Sequence, residues 1–282
     1  MNTESISLTS ESAPPLFLAL WSIRHRMEMQ PMETFDLIKR LGFSAVEVPG
    51  FFGLKANDVQ KQLKLRSLKI CSLHGPLLRM ENKHEFYSKW AKEYLEIFET
   101  NTVGFESSPK DFLSSEKSQW VHKYNIITDL VIDIAQDLAQ YEKQVSYHCF
   151  PHDFEMFEEQ PLISRLFARE DVPPNLGLQL DTFWLNHAHT EPQAYAALPV
   201  HSVHLNERDE EGHSCMLGTE KEKCAKYILP LKRRRKPINW ILENDPVDKY
   251  EYPNDAKMID IMHQCINGWP SFWHTLASSS KE

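Results

Sequence analysis

The sequence predicts a single (β/α)8 barrel, and three observations carry that reading. The chain of 282 residues has the length typical of one closed α/β barrel. Short apolar runs alternate with longer segments of helical period from Leu16 onward, the pattern of a parallel sheet with crossover helices. The number of those runs is eight: Leu16–Trp21, Ala45–Val48, Lys69–Leu73, Thr102–Phe105, Gln144–His148, Leu176–Asp181, Val200–Leu205 and Ile238–Glu243.

The helices between them follow from spacing. Tyr124, Ile127, Val131, Ile134 and Leu138 draw one apolar stripe, and Phe86, Trp90, Tyr94 and Phe98 draw another at every fourth residue. Ala56, Val59 and Leu63 mark a shorter helix, and Phe35, Ile38 and Leu41 one that begins at Pro31, a residue suited to a first helical turn. Met258, Ile261, Met262 and Cys265 predict a last helix, with Gly268 and Pro270 as its stop. Residues 1–15 are polar, acidic and rich in Ser and Thr, which reads as a disordered tail ahead of one domain at 16–282.

Composition narrows the function. With 41% hydrophobic and 25% charged residues the chain is globular, and no stretch approaches the roughly 18 apolar residues of a membrane span. A formal net charge of −9 argues against general nucleic-acid binding. The basic run Lys232–Lys236 falls where a barrel chain turns on the face opposite its functional loops, and reads as a solvated turn. The cysteines, at 71, 149, 215, 224 and 265, form no CxxC pair and are odd in number, so free thiols in a reducing, cytoplasmic setting are expected.

In a parallel barrel the functional groups sit at the C-terminal ends of the strands. The fifth to eighth runs end at His148, Asp181, His204 and Glu243, the third at His74, and the second near Glu47. Two imidazoles and two carboxylates converging above the barrel mouth suit one divalent ion such as Mn²⁺, Zn²⁺, Co²⁺ or Fe²⁺, with Mg²⁺ less suited. Taken singly, each has a plainer reading: His148 as a hydrogen-bonded structural histidine, Asp181 before Thr182 as the cap of a turn.

With these residues in place the sequence resembles the sugar phosphate isomerase/epimerase family of xylose isomerase-like barrels from Leu18 to about Pro246. Leu41-Gly-Phe-Ser-Ala-Val-Glu-Val is similar to its second-strand signature, Ser72-Leu-His-Gly to its third strand, and Tyr147-His148 with Pro151-His-Asp-Phe-Glu to its Tyr-His-Asn-His-x-Phe-Glu stretch. Leu178-Gln-Leu-Asp-Thr-Phe-Trp is close to its strand-six Leu-Asp-x-x-Trp segment, Val203-His-Leu-Asn-Glu-Arg-Asp to its Val-His-Leu-Lys-Asp, and Ile241-Leu-Glu to its last strand. The resemblance implies metal ligands His148, Asp181, His204 and Glu243, with His152 as the alternative on the fifth strand.

It also implies a carbohydrate substrate and a metal-dependent isomerase or epimerase acting through an enediolate, with a dehydratase or lyase, or a binding protein that has kept the barrel, as the alternatives. Glu243 is the leading base and Glu207 a second; His74 is a candidate proton shuttle. Glu47, Arg208, Trp21 and Trp184 are candidate substrate contacts. The chain departs from the family in carrying histidine at the fifth-strand position, where epimerases have a glutamate, and Asn206 where a lysine is common. Homo-oligomerisation is left open.

Overall fold

The computed structural model describes residues 12–234, 237–244 and 255–278. Its centre is a closed barrel of eight parallel strands: β1 (Leu16–Ala19), β2 (Ala45–Val48), β3 (Lys69–His74), β4 (Thr102–Glu106), β5 (Gln144–His148), β6 (Leu176–Asp181), β7 (Val200–Leu205) and β8 (Asn239–Leu242). Each strand pairs with its neighbour in sequence, and β8 closes on β1 through Leu16–Trp240, Phe17–Ile241 and Leu18–Leu242.

All eight predicted runs are strands, with small differences at their ends. β1 stops at Ala19, because the chain turns at once into a 3-10 turn over Leu20–Ile23. β3 and β4 each run one residue further than the sequence suggests, to His74 and Glu106. β8 is shorter, so Glu243 lies just past its end, its backbone N–H still bonded to the Leu205 carbonyl.

The helices form the outer layer. Trp120–Ala139 buries the whole predicted stripe from Tyr124 to Leu138. Pro31–Leu41 starts on its proline and stops at Gly42, whose φ of 99° ends the helix in the left-handed region open to glycine. In His84–Ile97 the face against the barrel is Tyr87, Ala91 and Leu95 rather than the aromatic stripe beginning at Phe86, which is itself 53% exposed. Small Ala91 lets the helix come close, while Trp90 and Tyr94 lie along the flank, Tyr94 packing on Phe51 with ring centroids 4.8 Å apart. Last comes Asp255–Ser278, which runs through Gly268 and Pro270 instead of ending there. The proline's missing N–H is outweighed by burial on either side of it, where Trp269 and Trp273 pack with Trp240.

Residues 1–11 of the expected tail lie outside the described residues, but the Pro14 carbonyl accepts a hydrogen bond from Trp269 Nε1 at 2.6 Å. Of the basic run, Arg235 and Lys236 also lie outside them; Lys232 Nζ stands 4.3 Å over the Trp273 ring. No described helix is long and apolar enough to cross a membrane.

Candidate active site

Side chains two apart on a strand share a face, so the pairs Ser72/His74, Ser146/His148, Gln179/Asp181 and Ser202/His204 each aim the same way. That face is the barrel interior, because bonds cross it between strands that are not neighbours. His74 on β3 meets Gln179 on β6 at 2.9 Å, and Glu47 on β2 meets His204 on β7 at 2.8 Å.

The structure brings all four predicted ligand residues to the C-terminal mouth. Donor atoms of His148, Asp181 and His204 lie within 4.8 Å of one another, as do those of Glu47, His204 and Glu243, so two trios share His204. His204 Nδ1 is in contact with Glu243 Oε2 while its Nε2 faces Glu47 Oε1. His74 stands beside the group, its ring 5.6 Å from that of His148 and 6.4 Å from that of His204.

His148, not His152, is the fifth-strand histidine of this cluster. Cys149 and Phe150 follow it and lead into a 3-10 turn, Pro151–Phe154, which carries His152 behind the strand, where it stacks on Phe112 at 4.1 Å and pairs with Ser107 Oγ at 3.0 Å. Asp181 is a helix cap as well as a member of the cluster. Its Oδ1 accepts from the N–H groups of Phe183 and Trp184, capping the helix Thr182–His187, which leaves Oδ2 for the mouth.

Charge is crowded here. Burial, with Glu243 alongside, pushes the Asp181 carboxyl up to about 7. Burial also raises Glu106, whose Oε2 is 3.8 Å from His148 Nδ1. Burial lowers His148 well below the ordinary imidazole range, and the charge on His204 adds to this, so it is a neutral base at pH 7. For His204 burial acts downward too, but Glu243 and Glu47 outweigh it and hold the ring protonated. Burial opposes ionisation of Glu47, yet the His204 charge and the hydrogen bonds from His204 and Ser72 keep it well below the carboxylate range.

This donor set fits a divalent cation. His148 Nδ1 is fully buried with no hydrogen-bond partner among the described residues, and an orphaned neutral imidazole nitrogen beside clustered carboxylates is an arrangement that suits a cation. The residues placed to hold it are those of the two trios, His148, Asp181 and His204 or Glu47, His204 and Glu243.

Other expected contacts are placed differently. Glu47 is 2% exposed, with its oxygens taken by His204, Ser72 and Gln179. Glu207 is removed from the chemistry, since both its oxygens accept backbone N–H bonds, from Gly218 and Glu220, and so tie down the start of the helix Lys221–Lys232. Arg208 covers the Phe183 ring at 4.2 Å. Both border a side cavity of about 180 Å³ whose walls, including Phe183, Asn206, Lys223 and Tyr227, contain none of the clustered side chains. Trp184 packs on Phe150 and Phe183, and Trp21 is 42% exposed beneath Arg24.

Two residues escaped the sequence reading. Glu106 needed the fourth strand to be one residue longer. Gln179 carried a usable signal, a polar side chain two before Asp181 in an otherwise apolar strand that is buried throughout.

No protein-family model and no curated protein sequence matches the chain. Its fold does match solved structures. A sugar phosphate isomerase/epimerase from Parabacteroides distasonis aligns at TM-score 0.66 and 14% identity, over 94% of this chain and 96% of that one. The IolI protein, solved with a bound zinc atom, aligns at TM-score 0.65 and 11% identity over 94% of this chain and 99% of its own. The probable 3-DHS dehydratase AsbF from Bacillus anthracis aligns at TM-score 0.60 and 14% identity over 90% and 98%. The chain therefore has the xylose isomerase-like TIM-barrel fold found in sugar phosphate isomerase/epimerase proteins.

Proposed function

We propose that this chain is a metal-dependent isomerase or epimerase acting on a sugar, sugar phosphate or keto-sugar by way of an enediolate. The observation that carries the reading is the buried imidazole–carboxylate cluster at the mouth of this barrel, with its unpartnered His148 nitrogen. His148, Asp181, His204 and Glu243 would hold one divalent ion of the Mn, Zn, Co or Fe kind. When bound, such an ion supplies Lewis-acid polarisation of a substrate carbonyl.

The protein's own part is proton handling. Glu243 has its Oε2 against His204 and its side chain 12% exposed, so Oε1 is the atom suited to take a proton from the carbon next to the carbonyl. His74 flanks that position and is suited to pass protons among hydroxyl oxygens. Trp184 and Trp21 offer aromatic faces to a sugar ring. Glu207 has no free oxygen for such work and is given no proton to move.

One observation favours a second reading. The fifth-strand position is histidine, so a symmetrical pair of carboxylate bases is absent and Glu243 stands as a single base. One-base chemistry also serves β-elimination, which makes a dehydratase of a keto-sugar or keto-inositol the alternative. The free cysteines fit a reducing, cytoplasmic setting.

The test is solvent deuterium exchange into a panel of sugars and keto-sugars by the metal-loaded protein. Exchange without loss of water supports the isomerase or epimerase, and release of water supports the dehydratase. A metal-loaded, folded protein that does neither is a binding protein, and the enzymatic reading falls.

A further inference from the structure

The Gln179 amide lies between two groups of unlike chemistry. Its Nε2 donates to Glu47 Oε2 at 2.7 Å, and its Oε1 lies 2.9 Å from His74 Nε2. Chemistry fixes the direction of this chain. An ionised carboxylate only accepts, so the amide NH₂ must face Glu47 and the amide oxygen must face His74. That oxygen also only accepts, so the hydrogen of the His74 ring is on Nε2. In the neutral ring Nδ1 then carries the lone pair, and no hydrogen bond to the described residues uses it.

Two further features lock the arrangement. Gln179 is fully buried, and turning its amide over would set oxygen against carboxylate and NH₂ against N–H. On the adjoining β4, Gly104 leaves the space the pair needs: a Cβ there would come within 3.1 Å of Gln179 Oε1 and 3.3 Å of His74 Cδ2. Glu47 also accepts from His204 Nε2 on its other oxygen, so one carboxylate orients two histidines, one directly and one through an amide.

We infer that Gln179 is a positioning residue that ties His74 to Glu47 and holds it as the Nε2–H tautomer, so that Nδ1 is the atom offered to the substrate. An accepting nitrogen selects a hydrogen-bond donor. The substrate group that meets His74 is therefore a hydroxyl, not a bare carbonyl or phosphate oxygen. This last step rests on the proposed function; the tautomer itself does not.

The experiment is ¹⁵N labelling of the histidine rings and long-range ¹H–¹⁵N correlation spectra at about pH 8, where an ordinary imidazole is neutral, with the His74 signals assigned by their loss in His74→Gln. The wild-type protein is expected to show a protonated Nε2 and a bare Nδ1 at His74, and Gln179→Met to show a mixture of tautomers in a protein of unchanged circular dichroism. A wild-type His74 protonated on Nδ1, or a pattern unmoved in Gln179→Met, overturns the inference. Should Gln179→Met not fold, the wild-type spectrum decides alone. Neither metal nor turnover enters the readout, so failure of the functional reading leaves it intact, and its own failure leaves the functional reading intact.

Discussion

Two buried histidine clusters lie on opposite sides of β5, and they differ in one respect that matters. Behind the strand, His152 pairs with Ser107, Ser107 with Tyr147 at 3.0 Å, and Tyr147 donates to Asp153 at 2.9 Å, while Asp153 also accepts from the Phe150 N–H. No buried polar atom of those four side chains lacks a partner. In the barrel mouth, His148, Asp181, His204 and Glu243 leave an orphaned imidazole nitrogen and clustered carboxylates. The closed cluster sets one imidazole and one carboxylate among two hydroxyls, whereas the open one sets two imidazoles beside two carboxylates. A closed network needs nothing further and acts as structure; an open one is balanced only by something that arrives.

Substitution at Asp181 sharpens the contrast most. Asp181→Ala should abolish metal binding and also cost about 1 kcal/mol as a lost helix cap. Asp181→Asn keeps an accepting oxygen for Phe183 and Trp184, so it should lose the metal with the fold's stability nearly unchanged, as read by metal content and thermal unfolding side by side. Glu243→Gln comes next: metal retained at reduced affinity, proton exchange lost. Exchange that persists in that variant would remove Glu243 as the base.

The closed cluster should behave in the opposite way. Tyr147→Phe strands Asp153 Oδ1 and should cost roughly 1–3 kcal/mol in denaturant unfolding while leaving metal content untouched. A loss of metal there would erase the distinction between the clusters. Adding metal to the wild-type protein at 100 times its Kd should stabilise it by about 2.7 kcal/mol, and the Asp181 variants by nothing.

The smallest effect belongs to the surface. Arg169, bonded to Asp129 and to Asp171 at 2.7 Å, holds the Asp171 carboxyl below its usual range. The charge-pair contribution is present above the unfolded Asp value and lost as pH falls through the lower folded one. Arg169→Ala should lower stability only slightly at neutral pH, as read by thermal unfolding, and the difference should vanish in acid.

Much of this was legible in the sequence, for identifiable reasons. Strand ends and their inward residues follow from a period of two, which brought His74, His148, Asp181 and His204 into view together. The choice between His148 and His152 was not legible, because it depends on a 3-10 turn of four residues that sends the second histidine behind β5. Glu47 looked like a substrate contact because its bonds to His204, Ser72 and Gln179 come from strands far away in the chain and leave no mark near position 47. Glu207 looked like a base because hydrogen bonds from backbone N–H groups that arrive 11 and 13 residues later leave no mark on the residue itself. The helix Asp255–Ser278 passed its apparent stop since three tryptophans meeting across 240, 269 and 273 are a tertiary fact.

The most direct test is elemental analysis of the purified protein after equilibrium with a panel of divalent ions. One ion per chain, lost in both Asp181→Asn and His204→Gln while each variant stays folded, is the expected result. A folded wild-type protein that retains no ion, or one whose ion survives both substitutions, would contradict the account.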